Sequence, residues 1–291
     1  MDGDGAPRIR SLVEDSALGR WRMDLCRPSP LLAPYVAHLW YVEGHIHYQR
    51  DRILPGGGSF LLINLGPAQF RIEPGPPERR IAFNDAWFTG LQQSPIDTEV
   101  PGGSALLGVA FHNHGARPWL HVDAHHCADS IVPLTDLLGD SVLALRQQLL
   151  ECPTSARRFA LVEAWIVARL EPRFAPSPLV RRVLSEIEVS RGAIAIDALA
   201  VRAGVSRKLL GQRFRCEVGL TTKSLARVHR FRHALEWLRH QDRVPWAELA
   251  ARCGYYDQSH LIRDFHAFSG MTPGELLRRQ QPDPGSVVLD G

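Results

Sequence analysis

Two groups of long side-chain donors carry the clearest chemical signal in the sequence. Arg207, Lys208, Gln212 and Arg215 fall within one stretch, and Gln258, Ser259 and Arg263 fall within a second stretch further along. Lys208 and Gln212 are four residues apart, as are Ser259 and Arg263, so on a helix each pair points one way. Guanidinium and amide groups can bond bidentately to base edges in a major groove, and arginine and lysine also neutralise phosphates. The chemistry open to these stripes is non-covalent recognition of an anionic surface rich in donors and acceptors.

The other polar constellations are less complete. Histidine recurs at positions 45, 47, 112, 114, 121, 125 and 126, and His45 with His47 forms an H-x-H that on a strand puts two imidazoles on one face. Asp51 lies four residues beyond His47, which makes the pair a candidate metal site. Such a site needs three or four convergent ligands, and surface or pocket-lining histidines are the alternative reading. Trp40, Trp87, Phe111 and His112 are candidates for an effector pocket, since such pockets are concave and largely aromatic with few polar groups. Core packing explains the same aromatic residues equally well. No G-x-S-x-G elbow, P-loop, dinucleotide fingerprint or pair of carboxylates emerges, so the expectation is a protein that is not an enzyme and takes no cofactor.

The elements that would hold these residues divide the chain. Between Leu31 and about Phe111, short apolar runs alternate with Gly- and Pro-rich turns, which predicts a sandwich or small barrel of strands. Beyond Phe111 the period becomes helical, with Phe159, Val162, Trp165, Ile166 and Leu170 on one side of a helix. The stretch EPRFAPSP has three prolines in eight residues and reads as a linker. Ser177 and Pro178 then supply an N-cap and a first-turn proline for a further helix.

The last third repeats itself. Leu199, Ala200 and Gly204 return at Leu249, Ala250 and Gly254, and Phe214, Gly219, Thr221 and Leu225 return at Phe265, Gly270, Thr272 and Leu276. Each copy reads as a helix ended by a glycine, then a cap (Ser206 or Asp257), then a second helix with an inward pair (Leu210 and Phe214, or Leu261 and Phe265). The donor stripes occupy the opposite face of those second helices. Between the copies, Leu225 to Leu238 forms one amphipathic helix that would hold them at a fixed distance.

Composition agrees with a folded protein. The 291 residues are 45% hydrophobic and 22% charged, values that argue against wholesale disorder. Five cysteines without a C-x-x-C suggest neither a disulfide framework nor a zinc knuckle, and fit a reducing cytoplasm. No apolar run reaches membrane-span length, and no secretory h-region is apparent. The formal net charge of +3 hides an asymmetry: residues 176–291 carry 18 basic and 12 acidic side chains, whereas the preceding part is net acidic.

The strings GYYDQSHLIRDFHAFSGMTPGELLRR and LAVRAGVSRKLLGQRFRCEVGLTTKSLARVHRFRHAL resemble the double helix-turn-helix domain of AraC-type transcription regulators over about Ile194 to Arg279. Two positions depart from the pattern: Ala195 stands where a capping Ser or Thr is usual, and Thr222 where the second copy has Pro273. ILPGGGSFLLINLG, TGLQQSP, GVAFHNHGARPWL and VPLTDLLGD are similar to the cupin-like sensor domains of one branch of these regulators. Leu106 stands where the second motif of a metal-binding cupin would need a histidine.

The resemblance implies an α+β two-domain protein. Residues 1–172 would form a cupin-like small β-barrel with following helices, for sensing or dimerisation, and 173–178 a linker. Residues 179–282 would form an all-α DNA-binding domain of two helix-turn-helix units on a linker helix, and 283–291 a flexible tail. Implied partners are double-stranded DNA, a small-molecule effector, a second copy of the chain, and RNA polymerase if the protein activates, all in a bacterial cytoplasm without membrane contact. Two rival readings are a metal-dependent cupin enzyme fused to a DNA-binding domain, and an architectural DNA protein of little sequence preference.

Overall fold

The computed structural model describes residues 7–100, 102–239 and 244–289. In chain order the N-terminal strands are β1 (Ile9–Ser16), β2 (Gly19–Cys26), β3 (Val36–Ile46), β4 (Arg50–Ile53), β5 (Ser59–Asn64), β6 (Gln69–Glu73), β7 (Arg79–Phe83), β8 (Ala86–Thr89), β9 (Ile96–Glu99), β10 (Gly103–Phe111) and β11 (Ile131–Pro133). They build two antiparallel sheets, one ordered β1-β2-β3-β10-β5-β8-β11 and the other β4-β9-β6-β7. Period-two alternation sends Leu39, Tyr41, Leu61, Ile63, Leu107 and Val109 to one face of the larger sheet, where all are buried.

That face is covered by α1 (Arg117–Leu120), α2 (Leu134–Leu138), α3 (Ser141–Glu151) and α4 (Ser155–Val167). Trp119, Val142, Leu145, Leu149, Phe159, Val162 and Ile166 complete the core from the helical side. Side chains of this size contribute about 1.5–3 kcal/mol each when fully buried. Among the described residues, no helix is long and apolar enough to cross a membrane.

The remaining helices are α5 (Pro178–Val189), α6 (Ile196–Arg202), α7 (Arg207–Val218), α8 (Thr222–Leu238), α9 (Trp246–Arg252), α10 (Gln258–Ser269) and α11 (Pro273–Arg278). Two apolar clusters organise them. In the first, Val180, Val183, Leu184 and Ile187 of α5 meet Leu199, Leu210, Phe214 and Leu225; in the second, Val228, Phe231 and Leu235 of α8 meet Leu249, Leu261, Phe265 and Leu276. Because α8 feeds both clusters, it fixes the two repeated units relative to each other.

The expected division into separable parts needs two corrections. Each helical cluster takes a residue from the β part, Leu91 in the first and Leu54 in the second, so the cores are shared across the boundary. The linker stretch is irregular but held, with the Phe174 carbonyl accepting from Arg117 at 3.2 Å and the Ser177 amide donating to buried Glu217 at 2.6 Å. The tail read as flexible instead contributes β12 (Ser286–Val288), which pairs antiparallel with β4. Three small or apolar residues, buried to 3% exposure or less, give that segment a reason to dock that its prolines and charge concealed.

Helix starts follow the capping chemistry. Side chains of Ser177, Ser206, Thr221, Asp257 and Thr272 accept from backbone amides one turn on, with a full capping box at Thr272 and Glu275. Ala195 and Pro245, at equivalent positions before α6 and α9, make no such bond. Ala195 already has extended backbone angles suited to a cap, so Ala195→Ser is expected to raise stability by about 1 kcal/mol. Chemical denaturation measures this, and an unchanged or lower midpoint would contradict the assigned helix start.

Candidate nucleic-acid interface

Helices α6 and α7 meet at a turn where Gly204 takes φ of 67°, and α9 and α10 meet at one where Gly254 takes 74°. A side chain is strained at such angles, which explains glycine at both turns. Ser206 then accepts from the Leu209 amide at 3.2 Å and Asp257 from the His260 amide at 2.7 Å, starting each second helix. Leu210 and Phe214 anchor α7, and Leu261 and Phe265 anchor α10, all at 3% exposure or less.

The opposite faces are open. Arg207, Lys208, Gln212 and Arg215 are exposed on α7, and Gln258, Ser259 and Arg263 on α10. Arg207 reaches Asp197 at 3.1 Å, but both side chains are at least 70% exposed, so this pair contributes little and leaves the guanidinium available. Ile262, which the spacing puts on the outward stripe, instead packs against the apolar cluster. Orientation of α10 is set by Arg227 of α8, whose Nε and one Nη donate to Asp264 Oδ1 at 3.0 and 2.6 Å.

The other candidates do not converge to the same degree. Register aligns Trp40, Gly108, Leu62 and Trp87 in one cross-strand row of the larger sheet. Phe83 of the second sheet lies 5.1 Å from Trp87, so this row faces the space between the sheets. Phe111 points to the other face, stacked on Trp119 at 5.5 Å in the helix-covered core. His112 is exposed, with its Nε2 at 3.3 Å from the Ala33 carbonyl. The four effector candidates therefore split into a pair sharing one surface and two residues elsewhere. His45 and His47 are both exposed, and among the described residues no cluster of three or more His, Cys, Asp or Glu side chains is placed to hold a metal ion.

Residues 199–279 match a family described as a helix-turn-helix domain. The C-terminal part of the chain is a helix-turn-helix domain. Residues 25–133 match a domain of unknown function (DUF6597). The chain is similar to the transcriptional activator RhaR of Escherichia coli K12, 27% identical over 105 residues. That alignment covers 36% of this chain, which spans 37% of the relative's length. RhaR of Salmonella dublin is 29% identical over 97 residues, 33% of each chain. Among solved structures, the C-terminal domain of the Geobacillus stearothermophilus response regulator AraT is 27% identical, covering 34% of this chain and 84% of that one, with a TM-score of 0.32. ToxT of Vibrio cholerae is 9% identical over 93% of this chain and 98% of its own, with a TM-score of 0.43.

Two exposed positions beside the stripes went unnoticed in the sequence, Arg213 and Tyr256, the latter 93% exposed in the turn before α10, and with them the half-buried Gly211. Gly211 sits inside α7 between Arg207 and Arg215, and a Cβ there would meet nothing within 4 Å. Internal packing therefore gives no reason for a residue that weakens a helix by about 0.5–1 kcal/mol relative to alanine. If the helix-turn-helix domain presents this backbone to DNA, Gly211→Ala will raise the unfolding midpoint while weakening duplex binding. Calorimetry and fluorescence anisotropy separate the two effects, and tighter or unchanged binding would contradict a close approach at Gly211.

Proposed function

We propose that this chain is a sequence-specific, DNA-binding transcription regulator of the AraC type. The observation that carries the reading is the pair of equivalent, capped helices, each sharing an apolar cluster with α8 and each turning a donor stripe to solvent. Lys208, Gln212, Gln258, Ser259 and Arg263 would discriminate bases, and Arg207 and Arg215 would add phosphate contacts and with them salt-dependent affinity. The excess of basic residues in 176–291 supports this assignment.

The β part fits a cupin-like sensor in this proposal. The half-buried Trp40 and Leu62 and the buried Trp87 supply an apolar surface between the sheets for an effector. A homodimer and RNA polymerase, if the protein activates, are the further partners, and the work lies in the cytoplasm with the DNA.

Selection of bound duplexes from a random-sequence pool, using the full chain, tests the reading. A reproducible consensus is expected, with affinity falling steeply as salt rises. Binding without a consensus would instead favour an architectural role.

A further inference from the structure

The final described segment of the chain pairs with a strand more than 200 residues earlier in the sequence. In β12, Ser286, Val287 and Val288 lie opposite Ile53, Arg52 and Asp51 of β4. The Leu54 amide donates to the Gly285 carbonyl at 2.7 Å and the Leu289 amide to the Arg50 carbonyl at 3.0 Å, bracketing the Val287–Arg52 pair. Val287 is fully buried in the second helical cluster together with Leu54. A strand that follows the DNA-reading helices thus covers an edge of the sensor sheet that would otherwise present unpaired backbone groups.

The same sheet edge reaches the second reading helix directly. Arg52 is held by Asp97 at 2.6 and 2.8 Å, and its remaining Nη donates to the Ser269 carbonyl at the end of α10 at 2.9 Å. Gly270 follows there, and its equivalent in the first unit, Gly219, also abuts the β part: a Cβ at Gly219 would lie 2.9 Å from the Ala124 carbonyl oxygen. Cys216, near the end of α7, donates to Asp123 at 2.9 Å. Between these two points, Arg232 of α8 donates to the Gly56 carbonyl at 2.8 Å. The β part therefore touches both reading helices at their C-terminal ends and leaves their donor stripes exposed.

We propose that the β4 edge is a strand-binding slot whose occupant is the chain's own segment 283–289, a detachable clasp that makes the β part and the reading helices move as one body. Its shortness favours detachment, because a strand of three residues holds little of the total stability. The approach is a Pro-Asp-Pro-Gly turn tied to α8 through Arg239, which donates to Gln281 and to the Pro284 carbonyl. Charge at the slot also opposes closure: burial pushes the Asp51 carboxyl up to about 6, against the hydrogen bond from Thr98, and the nearby Asp283 adds to the rise. With the clasp closed, a change sensed between the sheets reaches both reading helices; with it open, it does not. This second half of the inference rests on the DNA-binding reading, whereas the existence of the clasp does not.

Hydrogen exchange on the full chain tests both halves. Val287→Asp is expected to speed exchange of residues 50–54 by about 100-fold or more while the α8 amides keep their protection. A peptide of residues 282–289 added in trans should restore protection of 50–54, and the same peptide carrying Val287→Asp should not. The milder Val287→Thr, with nearly the same shape, should give about a 3- to 10-fold increase confined to the same residues. Unchanged exchange in 50–54, or loss of α8 protection together with it in Val287→Thr, would overturn the clasp by making β12 either unimportant or part of the global core. Adding the selected duplex to the wild-type chain should slow exchange at residues 50–54 and 123–127, and this response should vanish in Val287→Asp. A duplex bound without that response would overturn the coupling, whereas a wild-type chain that binds no duplex would refute the functional reading and leave the clasp standing.

Discussion

Replacing Arg227 with methionine is expected to destabilise the protein by about 3–5 kcal/mol, because the change leaves a buried carboxylate without its partner. Asp264 is 2% exposed and takes both bonds from Arg227 on one oxygen, while its other oxygen has no partner among the described residues. Methionine keeps much of the apolar stem that the guanidinium carries past Phe268. The double change Arg227→Met with Asp264→Leu should recover much of the loss, since apolar replacement of a whole buried pair is often tolerated. Urea denaturation at pH 7 reads both variants, and a loss below about 1 kcal/mol for the single change would show that the pair does not fix α10 on α8.

The second large effect concerns discrimination between DNA sequences. Gln212→Ala should relax base preference in one part of the selected site and Arg263→Ala in another, each by about 1–3 kcal/mol if the side chain reads a base. Both residues are exposed on different helices and neither anchors a core, so stability should hardly change. A residue that touches phosphate alone would weaken all sequences alike and flatten the salt dependence. Competition with single-base variants of the site distinguishes these cases. Loss of preference at the same bases in both variants would contradict two separate reading heads.

The helical third was legible because each of its signals is local. Glycine turns, hydroxyl or carboxylate caps and i, i+4 apolar pairs lie within one unit, and the repeat presented every signal twice. Sequence reasoning lost accuracy where the structure depends on contacts distant in sequence. Strands β1 and β2 were not foreseen, since most of β1 faces solvent and shows no period-two alternation. Burial of Ser286–Val288 depends on β4, more than 200 residues earlier, and no local pattern announces such a partner. Aromatic type alone could not separate Phe111, in the core, from Trp87, which faces the second sheet; the register of four strands decides it. Ile262 shows the same limit on a helix: it precedes the exposed Arg263 in the sequence, yet it is half-buried against the second apolar cluster.

In the proposed function one chain reads DNA with two heads that α8 ties together. Hydroxyl-radical footprinting of a single bound chain on its selected duplex tests this most directly. Two protected clusters on the same side of the duplex, about 34 Å or one helical turn apart, are predicted. A single cluster, or protection spread evenly along the duplex, would contradict it.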